Sequence, residues 1–167
     1  LTYPIKYLVI SDIHLNNGRN KTSSIISNLT KFFDNFRDDS YFTELDIIFI
    51  AGDLFDTLMD MSGGEIHEIQ IWAGRLMYFC ARHDIRLRVL EGTPSHDWKQ
   101  AKTLNTVAQL TEHPLNFRYI DSLEIETIED LGNLNILYVP DEWSSSTELT
   151  LKQVKELLYS KGLVDVD

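Results

Sequence analysis

The sequence predicts an α/β protein: a sheet buried on both faces, largely parallel at first, with helices packed on it. Three observations lead there. The apolar runs at residues 5–11, in "LDIIFIAGD" and in "IRLRVLEG" lack polar alternation, as strands without a wet face do. Between them lie segments with apolar residues at helical spacing, so strand and helix alternate along the chain. The chain has 167 residues, 43 % hydrophobic and 25 % charged, enough for one domain with a real core. No repeat or linker divides it, so a single domain over residues 1–167 is expected.

Each element has its own justification. Residues 5–11 form the first strand, and "NNGRNK" is a loop. Thr22 or Ser23 then caps a helix whose face carries Ile25, Ile26, Leu29, Phe32, Phe33 and Phe36. "RDDS" ends that helix. Ile47 to Ala51 is the core of the second strand, followed by a loop containing Met and Gly. Ile66, Ile69, Ala73, Leu76, Met77 and Cys80 mark a second amphipathic helix, and "IRLRVLEG" is the third strand. Leu104, Val107 and Ala108 mark a short helix before His113-Pro114. "FRYI", "LEIETI" and "NILYVP" read as short strands, the middle one half-exposed. "SSSTELTLKQVKELLYSKG" is a helix with a Ser/Thr cap and Gly162 just past its end.

Composition narrows the function classes. The net charge is −11, from 26 acidic and 15 basic residues, so the chain lacks the basic footprint of a protein that grips nucleic acid by charge alone. No run approaches the ~20 apolar residues of a membrane span. Cys80 is the only cysteine, which excludes an intrachain disulfide and reads as a buried filler in a reducing compartment.

Functional groups in such sheets collect at the carboxyl ends of the strands. The first strand ends in Ser11-Asp12-Ile13-His14, the second in Gly52-Asp53-Leu54-Phe55-Asp56, the third in Glu91-Gly92-Thr93-Pro94-Ser95-His96-Asp97. If the strands are neighbours, Asp12, His14, Asp53, Asp56, His96 and Asp97 share one small volume. Carboxylates so crowded either keep protons or meet a cation. Carboxylate with imidazole suits Mn, Fe or Zn better than Ca or Mg. Each piece alone also has a plain structural use: Gly-Asp makes turns, and His-Asp pairs occur on surfaces. His67, His83 and His113 read as ordinary helix-end and turn residues.

In order and type, these three clusters resemble the calcineurin-like metallophosphoesterases, whose pattern is D-x-H, G-D-x-x-D, G-N-H-[DE], then two later histidine motifs. "GDLFD" looks most like the branch of DNA-repair and recombination exonucleases, phage enzymes among them, that partner SMC-like ATPases. The resemblance implies a layered metallophosphoesterase-type fold with mixed sheets flanked by helices. It implies that Asp12 and His14 bind a first metal, that Asp53 bridges two metals, and that Asp56 supports the loop. It implies that His96 faces the scissile phosphate and stabilises or protonates the leaving oxygen, and that Asp97 orients His96. Two divalent ions, Mn foremost with Fe or Zn as options, would activate a water for in-line attack on phosphorus. DNA would be the substrate, an SMC-like ATPase the partner, with a homodimer left open, no membrane involved, and a cytoplasmic setting in a bacterium or phage-infected host.

Two departures from the pattern stand out. "GTPSHD" replaces "GNHD", which puts Ser95, a poor ligand, where the family has the Asn of the second metal; a shifted loop would offer Thr93 instead. No histidine follows His113. The first residue is Leu1, and "KGLVDVD" reads as a strand beginning. The chain is therefore expected to be the amino-terminal part of a longer protein, its remaining ligands beyond residue 167. Arg19 and Lys21 are either phosphate contacts or ordinary loop charges, and Trp98 either stacks on a base or packs under its loop. Besides a DNA-cleaving enzyme, two readings stay open: a phosphoesterase for small nucleotides or phosphoproteins, and a non-catalytic interaction module of the same fold.

Overall fold

A computed structural model describes residues 4–60, 62–141 and 146–164. The strands β1 (Tyr7–Ile10), β2 (Ile47–Ala51), β3 (Arg86–Leu90) and β4 (Phe117–Ile120) form one parallel sheet in the spatial order of the chain. β5 (Glu124–Ile128) and β6 (Leu134–Tyr138) form a separate antiparallel pair. The expected mixed sheets are thus two sheets, each of one kind. The helices are α1 (Thr22–Phe36), α2 (Ser40–Thr43), α3 (Gly64–Arg82), α4 (Leu104–Gln109) and α5 (Thr147–Ser160). Among the described residues, no helix is long and apolar enough to cross a membrane.

The strand order explains the layers. Every crossover steps the same way across the sheet, and right-handed crossovers then lay their helices on one face. Leu8, Ile10, Ile48, Ile50, Leu87 and Val89 point to that face and share a core with Ile69, Ala73, Leu76, Met77 and Cys80 of α3. Burial pushes the Cys80 thiol up to about 12, so it is inert packing, as its neighbours suggested. The alternate residues face the β5–β6 hairpin, where Phe49 meets Tyr138 with ring centroids 6.5 Å apart. Arg88, only 2 % exposed, reaches across to the hairpin. Its Nε and Nη2 donate to Glu126 Oε2 and Oε1 at 2.8 and 2.7 Å, and Nη1 and Nη2 donate to Asn116 O and Oδ1. A charge in a buried strand survives only with such partners.

Two local expectations change. Thr22 does not cap α1: Lys21 holds the N-cap position without a side-chain bond, and buried Thr22 accepts from Asn16 N–H at 3.1 Å, pinning the loop after β1. α2 was not legible in "RDDS" and its surroundings. Asp39 caps it, accepting from Tyr41 N–H at 2.8 Å, and buried Phe42 sits among Phe32, Phe33 and Phe36. Ser146 does cap α5, accepting from Leu149 N–H at 3.2 Å, and Gly162 follows it with φ +65°. Of the strand expected in "KGLVDVD", residues 165–167 lie outside those described, and Leu163 and Val164 form no strand.

Candidate metal centre

Because β1, β2 and β3 are neighbours with their carboxyl ends aligned, the three polar loops do converge. The first two continue to pair beyond their strands. His14 N–H donates to Asp53 O at 3.1 Å, Leu15 N–H to Leu54 O at 2.9 Å, and Asp56 N–H to Leu15 O at 2.8 Å. Leu15 and Leu54, both fully buried, and Phe55, 1 % exposed, anchor this double loop in the core. The site side chains therefore stand on rigid backbone.

The local backbone is unusual. Asp12, His14, Asn16 and Asp53 all have left-handed φ between 51° and 63°, and Gly52 has φ +86°. Non-glycine residues adopt this region rarely, and such strain gathers where the surroundings over-determine it. Here it alternates along the first loop, so that apolar Ile13 and Leu15 go inward while Asp12 and His14 stay at the rim.

His14, Asp53 and His96 each bring a ligand atom to within 4.8 Å of the others. With metal–ligand bonds of about 2.0–2.2 Å, ligand atoms on one ion stand up to roughly twice that far apart, so a small closure seats one divalent cation. The donor chemistry, two imidazoles and a carboxylate, fits Mn, Fe or Zn. His14 Nδ1 lies 2.9 Å from Asp56 Oδ1. A carboxylate partner there fixes the proton on Nδ1 and leaves Nε2 as the ligand nitrogen. Asp56 is thus hydrogen-bonded to the His14 ring, a candidate ligand. Asp56→Ala is expected to weaken Mn affinity about 10- to 100-fold with the fold retained. Calorimetric titration beside circular dichroism checks this, and unchanged affinity removes the supporting role.

Asp53 is half-buried, and both its oxygens are engaged. Oδ1 accepts from Thr93 N–H at 2.7 Å and from Thr93 Oγ1–H at 3.0 Å, and Oδ2 lies 3.1 Å from His96 Nδ1. Burial alone would raise the carboxyl, but the Thr93 and His96 donors outweigh it and hold Asp53 below the usual carboxylate range. It is an anion ready for a cation. A carboxylate has about four lone-pair positions, and three are taken here, so a second ion on Asp53 requires His96 or Thr93 to let go.

The other predicted site residues have different surroundings. Asp12, expected as a ligand, is not one of the group of three, but its exposed carboxylate lies 3.6 Å from His14 Nε2, the ligand nitrogen. Asp97 does not orient His96. It is fully buried, Oδ1 accepting from Phe55 N–H at 2.8 Å and Oδ2 from Gly92 N–H at 2.7 Å, so it staples the second loop to the third. Burial raises its carboxyl despite those two donors. Ser95 is exposed and offers its carbonyl to Trp98 Nε1 at 2.8 Å. Thr93, two residues earlier, is the one that meets Asp53.

Gly92 belongs to the third strand-end cluster, where the sequence gives it no task of its own. A Cβ there would lie 2.1 Å from Asp53 N, 2.3 Å from Asp53 Oδ1 and 2.8 Å from Asp97 Oδ2. The residue must be glycine because the loops touch backbone to backbone. Gly92→Ala is expected to cost about 1–3 kcal/mol in urea unfolding and to abolish Mn retention by displacing Asp53. Wild-type stability and metal content would contradict that crowding. The remaining histidines do nothing here: His83 ends α3 against Phe79, and His113 lies by Tyr78. Compared with known proteins, the chain matches no family model and no curated protein.

Proposed function

We propose that the chain carries the catalytic centre of a metal-dependent phosphodiesterase acting on DNA. The observation that carries this reading is the meeting of His14, Asp53 and His96 at the ends of three adjacent parallel strands. The motif order supports the same reading through the resemblance to calcineurin-like metallophosphoesterases. An SMC-like ATPase partner and a second metal belong to the proposal as well.

Each residue has a task in it. Asp56 holds His14 with one nitrogen available, and Thr93 keeps Asp53 ionised and aimed. His96, with Nδ1 held by Asp53, presents Nε2 as its ligand nitrogen. Asp97 and Gly92 fix the spacing of the loops that bear these groups. Divalent cations, when bound, supply Lewis-acid neutralisation of the phosphoryl charge and a more acidic water.

One observation favours a second reading. The charge of −11 repels a polyanion, so a small nucleotide or another small phosphoester is the alternative substrate. The test is the full-length protein with Mn, offered end-labelled DNA beside a small phosphodiester, with chelator controls. Mn-dependent DNA cleavage that stops on chelation is the expected result. Product from the small ester alone transfers the reading to the alternative. Neither product, from a protein that retains no metal, leaves an interaction module.

A further inference from the structure

Trp98 follows the His96-Asp97 pair, and it does not pack under its loop: 54 % of it is exposed. Trp98 and Lys99 are both left-handed, with φ 50° and 58°, which is rare for one bulky residue and rarer for two in succession. Their surroundings impose it. Lys99 N–H donates to Glu91 Oε1 at 2.7 Å, and Tyr119 hydroxyl donates to Glu91 Oε2 at 2.6 Å. Glu91 is 2 % exposed and takes no part in the metal centre. Its Oε1 holds the turn, and Tyr119 fixes the carboxylate through Oε2. The indole is also tethered, because Nε1 donates to Ser95 O at 2.8 Å. An aromatic ring is thus kept in solvent, with restricted rotation, two residues from His96.

We infer that Trp98 is a stacking platform for an unpaired nucleobase of the substrate strand, set beside the metal centre by the buried Glu91–Tyr119 pair. The inference rests on the DNA reading of that centre. It also eases the charge problem of that reading. Stacking on an indole gives affinity that needs no cationic footprint, and every base has a face to offer. A chain of net charge −11 has reason to use it.

The test uses an uncleavable phosphorothioate dT oligomer and an abasic oligomer of equal length and charge, both in Mg²⁺. Binding is followed by oligomer anisotropy and by intrinsic tryptophan emission. The dT oligomer is expected to quench wild-type emission and to bind at least about 5-fold more tightly than the abasic one. Trp98→Ala is expected to weaken dT binding about 5- to 100-fold, and Trp98→Phe to keep most binding while losing the quench. Glu91→Gln keeps an acceptor for Lys99 N–H and turns its other end into an amide N–H that can donate to the Tyr119 hydroxyl oxygen, so it should behave as wild type. Glu91→Ala should release the turn, lowering tryptophan emission anisotropy and dT affinity together without changing Mn retention. Wild-type dT affinity in Trp98→Ala, or equal binding of the two oligomers, overturns the stacking role while DNA cleavage stands. A wild type that binds neither oligomer and cleaves only small esters removes the DNA reading and this role with it.

Discussion

Asp53→Asn in the full-length protein is expected to lower Mn-dependent phosphodiester cleavage by about 10²–10³-fold or more while the domain stays folded. The substitution changes almost no volume. Its amide oxygen can still accept from Thr93 N–H, the strongest of the three bonds at Asp53. What disappears is the negative charge, held below the usual carboxylate range so that it is present at every working pH. The second consequence falls on His96. An Asn nitrogen facing Nδ1 donates where the carboxylate accepted, so the imidazole must move its proton to Nε2 or turn away. The carboxylate ligand and the His96 ligand nitrogen are lost together. Metal content after purification in Mn, thermal melting and end-labelled DNA cleavage form the measurement. Normal cleavage by Asp53→Asn would refute the assigned centre. A melting point lowered by more than a few degrees would mean that Asp53 serves the fold first.

The legible part of this site was the part written in strands. Three apolar runs ended in Asp12-x-His14, Gly52-Asp53 and Gly92…His96, and parallel order brought those ends together. The illegible part depends on contacts between loops. Asp97 looked like a partner for adjacent His96, but its oxygens serve backbone N–H groups of Phe55 and Gly92, which leave no side-chain signature. Thr93 could not be preferred over Ser95 until the two residues between Gly92 and Ser95 had a conformation. Asp12 and His14 share the same left-handed φ, yet only His14 is one of the three grouped ligands, Asp12 lying 3.6 Å from its Nε2. α2 is four residues long, too short for a periodic signal, and is fixed by the packing of Phe42. One signal was available and unused. Arg88 stands in the middle of a run read as fully buried, and a buried guanidinium demands a carboxylate somewhere.

That carboxylate is Glu126, and its removal is expected to be the costliest change to stability away from the metal centre. Burial would raise the Glu126 carboxyl, but hydrogen bonds from Arg88 and Tyr138, with the charges of Arg88 and Arg118, bring it down to about 2. Its unfolded value is 4.5. A carboxyl depressed by folding stabilises the native state above its unfolded pKa, and that contribution fades as pH falls from 4.5 through about 2, below which both states are protonated. The linked stability is on the order of 2–3 kcal/mol at neutral pH. Glu126→Gln should cost about 3–5 kcal/mol at pH 7, because it strands the Arg88 charge in a site only 2 % exposed. It should also flatten the decline in stability between pH 4.5 and 2. The double change Arg88→Met with Glu126→Leu removes the stranded charge and is expected to recover most of the loss. Urea unfolding of the three proteins at pH 7 and pH 3 checks all of this. If Glu126→Gln loses as little as a surface pair does, the hairpin is held to the parallel sheet by apolar contact alone, through Phe49 and Tyr138, and the ion pair only sets its register.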